Sequence, residues 1–139
     1  MIFDPKNSSV RDIDLIKIDF EINSANSSSL VILNDIHFSL KRIFILTTLD
    51  NEAIRGEHAH RNCTQIFGLM IGQSSISLFD AEEERSIPMG LNGPFIKVPP
   101  GLWISVSLAA NTKVIVLCDQ QYDENEYIRD WQEFMAWKI

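Results

Sequence analysis

The sequence predicts an all-β domain, a β-sandwich or barrel, closed by one short C-terminal helix. Three observations predict it. Short runs rich in Ile, Val, Phe and Leu recur along the chain, bounded by Asn, Asp, Ser, Gly and Pro. The run Ser75-Ile76-Ser77-Leu78 alternates polar and apolar, as a half-buried strand does. Only the last stretch, residues 125–138, changes period: Tyr127, Ile128, Trp131, Phe134 and Met135 approximate helical spacing. Many short strands with turn signals between them indicate a sandwich or barrel rather than a layered α/β fold.

Taken in order, residues 14–20, 30–33 and 42–48 read as the first strands, with the Ser/Asn-rich 23–29 as the loop between the first two. Residues 64–71, 75–79, 95–98, 103–108 and 113–118 follow as strands. The acidic 80–85 reads as a solvated hairpin tip. Residues 54–61, read as a strand, point His58 and His60 to the same face, because strand side chains alternate with period 2. In a small barrel that face lines the core or a pocket.

Composition bounds the function. The chain has 139 residues, 45% of them hydrophobic, which suits a single domain over residues 1–139. No run of about 18 apolar residues is present, so no membrane span is expected. The start, Met1 to Lys6, lacks the basic-then-apolar pattern of a signal peptide, and Cys63 and Cys118 read as free thiols. Both point to the cytoplasm. A net charge of −7 disfavours nucleic-acid binding. A local basic cluster, Lys41, Arg42, Arg55 and Arg61, is still a candidate for a phosphorylated small molecule.

The most informative motif is Arg55-Gly56-Glu57-His58-Ala59-His60-Arg61. Histidine is the side chain suited to proton transfer near neutral pH and also the commonest metal ligand. Gly56, His58, His60, Gln65 and Gly72 follow G-x-H-x-H-x4-Q-x6-G, and Gly93, Pro99 and Gly101 follow G-x5-P-x-G. Together these resemble the two signature motifs of the cupin (RmlC-like) β-barrel or jelly-roll family. A metal-binding cupin usually carries a carboxylate where this chain has Gln65 and a third His where it has Ile104. Two ligands of four leave a poor site for a divalent ion, so no metal is expected and acid–base use of the histidines is favoured. Gln65 shares a face with Phe67 and Leu69 and is placed to approach the His pair and hold a substrate oxygen. The alternative is that it satisfies a buried backbone group. Trp103, after Pro99-Pro100-Gly101, is a candidate pocket wall, although core packing is the more frequent use of a strand Trp. His37 lies outside the motif and is expected at the surface.

As a whole the chain resembles the sugar 3,4-ketoisomerases among the cupins. The resemblance covers most of residues 30–135. It rests on Phe38-Ser39-Leu40-Lys41-Arg42-Ile43-Phe44, on the Arg55 to Arg61 block with Gln65, and on Val98-Pro99-Pro100-Gly101-Leu102-Trp103. The last block is Tyr122-Asp123-Glu124-Asn125-Glu126-Tyr127-Ile128-Arg129-Asp130-Trp131, closing with Phe134. It implies a homodimer, no metal or other cofactor, a dTDP-linked 4-keto-6-deoxy sugar as substrate, and a deoxysugar pathway feeding surface glycans. Residues 12–20 are a candidate for adding to a partner's sheet edge. Moving the ketone from C4 to C3 through an enediol or enediolate needs a carbon base and an oxygen-proton shuttle. His58 is assigned to the carbon and His60 as its partner or shuttle. Arg55 is assigned to the enediolate or the diphosphate, and Arg42 to the diphosphate. Two departures stand out: Phe44-Ile45 replaces a tyrosine frequent after the Lys-Arg pair, and Ile104-Ser105 follows Trp103 where polar residues are frequent. The competing readings are a non-catalytic nucleotide-sugar-binding cupin and a metal-dependent oxygenase. The missing ligands at Gln65 and Ile104 argue against the latter.

Overall fold

The β-branched and aromatic runs form twelve strands, ten in two stacked sheets and two in a separate hairpin, in the computed structural model, which describes residues 3–139. Residues 1 and 2 of the expected domain lie outside the described residues. The strands are β1 Asp14–Ile16, β2 Asp19–Asn23, β3 Ser28–Ile32, β4 Arg42–Thr47, β5 Ala53–His60 and β6 Gln65–Ile71. They continue as β7 Ser74–Phe79, β8 Glu84–Met89, β9 Phe95–Val98, β10 Trp103–Leu108, β11 Lys113–Cys118 and β12 Tyr127–Ile128. Among the described residues one α-helix, α1 Trp131–Lys138, follows β12.

One sheet runs β1-β9-β6-β11-β4 and the other β12-β5-β10-β7-β8, with every pair antiparallel. Between them lies the main core. Phe67, Leu69, Ile96, Val114 and Val116 come from the first sheet, and Ile76, Leu78, Ile104, Val106 and Leu108 from the second. Alternation of the strands supplies this face, and its burial drives the stacking. Among the described residues no ladder joins the two sheets. The architecture is therefore the cupin jelly roll, not a hydrogen-bonded closed barrel.

Several sequence expectations need correction. The run 14–20 breaks in two: β1 pairs with β9 of its own chain, while β2 pairs with β3 in a separate hairpin. Residues 14–16 thus form the edge strand of their own sheet, beside β9. The acidic tip is shorter than expected, because Glu84 and Arg85 already belong to β8. That strand contains Pro88, which is tolerated because β8 lies at the sheet edge. The C-terminal helix starts only at Trp131, where Asp130 caps it by accepting from the Glu133 N–H at 3.1 Å. Tyr127 and Ile128 are instead a strand, paired with His60 and Ala59.

A second apolar cluster forms where α1 covers the outer face of the β5 sheet. Phe134, Ile128 and Ala59 are fully buried there, with Phe79, Trp103 and Trp137 packed against them. Lys138 ties the helix end to the N-terminal segment by donating to Ser8 O at 2.7 Å. No helix is long and apolar enough to cross a membrane among the described residues.

Candidate active site

The site begins at an irregularity in β5. Gly56 has φ +94° and Glu57 has φ +58°, and the register with β10 shifts there: Ile104 pairs with His58, but Ser105 pairs with Gly56. This is a β-bulge, a device that re-aims the residues after it. Only glycine fits its first position, because a Cβ on Gly56 would stand 2.8 Å from the Ile104 carbonyl oxygen.

Beyond the bulge His58 and His60 do share a face, with ring centroids 4.9 Å apart and planes nearly perpendicular. His58 lines a cavity of about 550 Å³ between the sheets. His60 lies one layer beneath, 1% exposed. Tyr127 covers both, its ring centroid 4.9 Å from His58 and 4.5 Å from His60.

Each histidine is held by its Nδ1. That of His58 faces the Gly56 carbonyl oxygen at 2.9 Å. A carbonyl only accepts, so this nitrogen carries the hydrogen and Nε2 keeps its lone pair. Burial, and next the proximity of His60, pushes His58 down to about 4, so it is neutral at physiological pH. That of His60 faces Glu126 Oε2 at 2.5 Å. The other Glu126 oxygen accepts the Asn62 and Cys63 backbone N–H groups at 2.6 and 2.7 Å. Burial opposes ionisation of Glu126, but the hydrogen bonds from His60 and these two amides outweigh it and hold the carboxyl below its usual range.

The candidate binding residues divide. Arg42, Arg55 and Gln65 line the cavity. Arg42 donates from Nη1 to the Tyr127 hydroxyl at 3.1 Å. Gln65 is 2% exposed and directs Nε2 to Cys118 Sγ at 3.4 Å. Trp103 does not line the cavity. It faces the opposite side of β10 from Ile104 and Val106 and packs on Trp131 and Phe134, with centroids 5.2 and 5.6 Å apart. The assignment of Trp103 as a pocket wall is therefore corrected: strand alternation puts it under the helix. The basic cluster also rearranges. Arg61 turns away to Glu133 at 2.8 Å, and Lys41 lies outside the cavity. In their place stands Arg129, which lines the cavity, sits 4.4 Å from the Tyr127 ring centroid and pairs with Glu124 at 2.6 Å. His37 is exposed, and Cys63 and Cys118 are free and buried.

Sequence reasoning missed Tyr127, Glu126 and Arg129 as site residues, although all three lie in the 122–131 block. The helical assignment of 125–138 concealed them. The donor set does not suit a metal: Gln65 and Ile104 stand where ligands would be needed. Among the described residues no group of three or more His, Cys, Asp or Glu is placed to hold an ion.

Comparison with known proteins adds to this geometry. The chain is 28% identical over 101 residues to the TDP-4-oxo-6-deoxy-alpha-D-glucose-3,4-oxoisomerase of Aneurinibacillus thermoaerophilus, covering 72% of this chain and 73% of that protein. A 3,4-ketoisomerase from Helicobacter canadensis superimposes with a TM-score of 0.81 at 28% identity, over 91% of this chain and 97% of that one. The TDP-fucose-3,4-ketoisomerase WlaRA from Campylobacter jejuni does so with a TM-score of 0.76 at 26% identity, over 92% and 96%. The family model described as WxcM-like, C-terminal (FdtA) matches residues 8–138, nearly the whole chain, and the chain belongs to that family.

Proposed function

We propose that this protein is a sugar-nucleotide 3,4-ketoisomerase, moving the keto group of a dTDP-linked 4-keto-6-deoxyhexose from C4 to C3. The observation that carries it is the pair His58 and His60 on one face of β5, beside a cavity that Arg42, Arg55 and Arg129 also line. The curated relative's name supplies the substrate class.

The isomerisation is redox-neutral overall. A proton leaves C3 and one is added at O4, giving the enediol. A proton then leaves O3 and one is added at C4. His58, on the cavity wall with an unprotonated Nε2, is the carbon base. A base near 4 is strong enough for a proton adjacent to a carbonyl: an Asp of pKa about 4.6 does such work in ketosteroid isomerisation. His60, packed behind His58, is its partner or the shuttle for the oxygen proton. The guanidinium groups balance the diphosphate and the developing enediolate, and Arg suits both because its planar fork matches such oxygens. Gln65 holds a sugar oxygen through its amide.

The active species is a homodimer. The β2–β3 hairpin leaves Ile22 70% and Val31 40% exposed on one face, an apolar surface that a second copy would cover. Sedimentation at micromolar concentration tests this, and a clean monomer contradicts it.

The test of function is incubation with dTDP-4-keto-6-deoxyglucose and a 3-aminotransferase in deuterated water. A 3-amino sugar with deuterium incorporated is the expected result. Binding with no exchange at C3 would instead identify a nucleotide-sugar-binding module.

A further inference from the structure

We propose that Glu126 is the positioning residue of His60, fixing the imidazole in its Nδ1–H form so that Nε2 is the one nitrogen able to take a proton. The effect on turnover rests on the ketoisomerase reading; the tautomer does not.

The carboxylate is built into place. Glu126 ends the 3-10 turn Glu124–Glu126, whose N-terminus is capped by Asp123. Its own N–H donates to Asp123 O at 3.0 Å, and its carbonyl accepts the Arg61 N–H at 2.9 Å. The next residue, Tyr127, pairs directly with His60 across the β12–β5 ladder. The backbone that carries the acid is thus fastened to the strand that carries the base. The side chain is only 9% exposed, and one of its oxygens is already committed to two backbone amides. That leaves Oε2 for His60 alone.

An ionised carboxylate accepts and does not donate, so the shared hydrogen belongs to His60 Nδ1. Nε2 is then a bare lone pair. It is buried and has no hydrogen-bond partner among the described residues. Leaving a buried acceptor unsatisfied is costly, because its bond to water is lost with nothing in exchange. A carboxylate serving structure alone would be complete with its two amides. It would not also orient a ring whose far nitrogen is left unpaired, with His58 and Tyr127 of the cavity wall packed against it. When Nε2 takes a proton, the imidazolium forms beside a fixed negative charge in a dry setting, where such stabilisation is strong.

The experiment compares wild type with Glu126→Gln and Glu126→Asp. In Glu126→Gln the amide oxygen stays on the Asn62 and Cys63 N–H groups, which turns the NH2 toward His60. Nδ1 must then accept, and the hydrogen moves to Nε2. Nitrogen-15 NMR of histidine-labelled protein, without substrate, should show His60 as Nδ1–H in wild type and Nε2–H in Glu126→Gln. The kcat of Glu126→Gln should fall about 10³–10⁴-fold, as an Asp-to-Asn exchange does in a catalytic triad. KM should move less than about threefold. Glu126→Asp, which keeps the charge, should retain the wild-type tautomer and recover part of kcat. A wild-type His60 in the Nε2–H form overturns the proposal. So does a flipped tautomer with unchanged kcat. If Glu126→Gln does not fold, the wild-type and Glu126→Asp spectra decide alone. If wild type turns over no substrate, the ketoisomerase reading fails while the spectra still test Glu126.

Discussion

Arg42 and Tyr127, 85 residues apart in sequence, are joined by a 3.1 Å hydrogen bond from the guanidinium to the phenol oxygen. The bond links β4 at the edge of one sheet to β12 at the edge of the other, across the cavity. Tyr127 lines that cavity together with Phe44, and its hydroxyl is the acceptor of this bond. Tyr127→Phe keeps the ring that packs on both histidines and removes only the anchor of Arg42. One such bond contributes about 1 kcal/mol, so KM for the nucleotide sugar should rise roughly fivefold with a smaller change in kcat. Steady-state kinetics checks this; an unchanged KM would separate Arg42 from ligand binding.

His58→Asn and His60→Asn should each fold and still bind the sugar nucleotide, yet lose turnover by about 10²–10⁴-fold. Asparagine approximates the size and hydrogen bonding of histidine but takes no proton near neutral pH. The two variants should differ in solvent-deuterium exchange. His58→Asn should abolish it at C3, whereas His60→Asn should leave slow exchange without product. Wild-type rates in both variants would rule out the proton-transfer mechanism.

Much of this was legible in the sequence because two periodicities carry it. Apolar alternation marks β7 and β10, and the two-residue spacing of His58 and His60 gives them one face regardless of register. What escaped was set by long-range packing. Trp103 is an ordinary strand tryptophan until α1 folds over one side of β10. The strand β8 was hidden by its charges and Pro88, although Ile87 and Met89 keep the alternation of an edge strand. Tyr127 and Ile128 happened to sit at helical spacing from Trp131 and Phe134, and only the ladder to β5 makes them a strand. Glu126 carries no local signal, since its partners lie more than sixty residues away.

Stability should fall as pH drops from 6.5 toward 4. His58 is held at about 4 against an ordinary value of 6.5, so in that window the unfolded state binds the extra proton. The contribution is present above 6.5 and is lost progressively below it, by roughly 3–4 kcal/mol at most at about 1.4 kcal/mol per pKa unit. Glu126 adds the same sign at lower pH, because its carboxyl is held below its ordinary value of 4.5. Thermal unfolding from pH 8 to 4 should show the slope, and His58→Asn should flatten its upper part. An identical pH profile in the variant would contradict the shift.

Chelation should leave activity intact. The amide of Gln65 and the aliphatic side chain of Ile104 deny a divalent ion two of the usual cupin ligands. Elemental analysis of purified protein should find less than stoichiometric zinc, iron and manganese. One tightly bound ion per chain, with activity lost on its removal, would refute this.

Gly56→Ala should separate the geometry of the site from its chemistry, since it alters no ionisable group. A Cβ there meets the Ile104 carbonyl oxygen at 2.8 Å, and the backbone sits at φ +94°, where side chains other than hydrogen are strained. The strain should cost about 1–3 kcal/mol, seen as a lower denaturant midpoint with the slope unchanged. Activity should fall further than that loss explains at temperatures where the variant is fully folded. The reason is that Gly56 holds His58 twice: its carbonyl accepts the imidazole Nδ1–H, and its bulge aims the strand toward the cavity. Shifting that carbonyl frees the ring to rotate, and a displacement of about 1 Å at a reacting group can cost 10²-fold. A variant that is less stable yet fully active when folded would show that the bulge serves the fold alone.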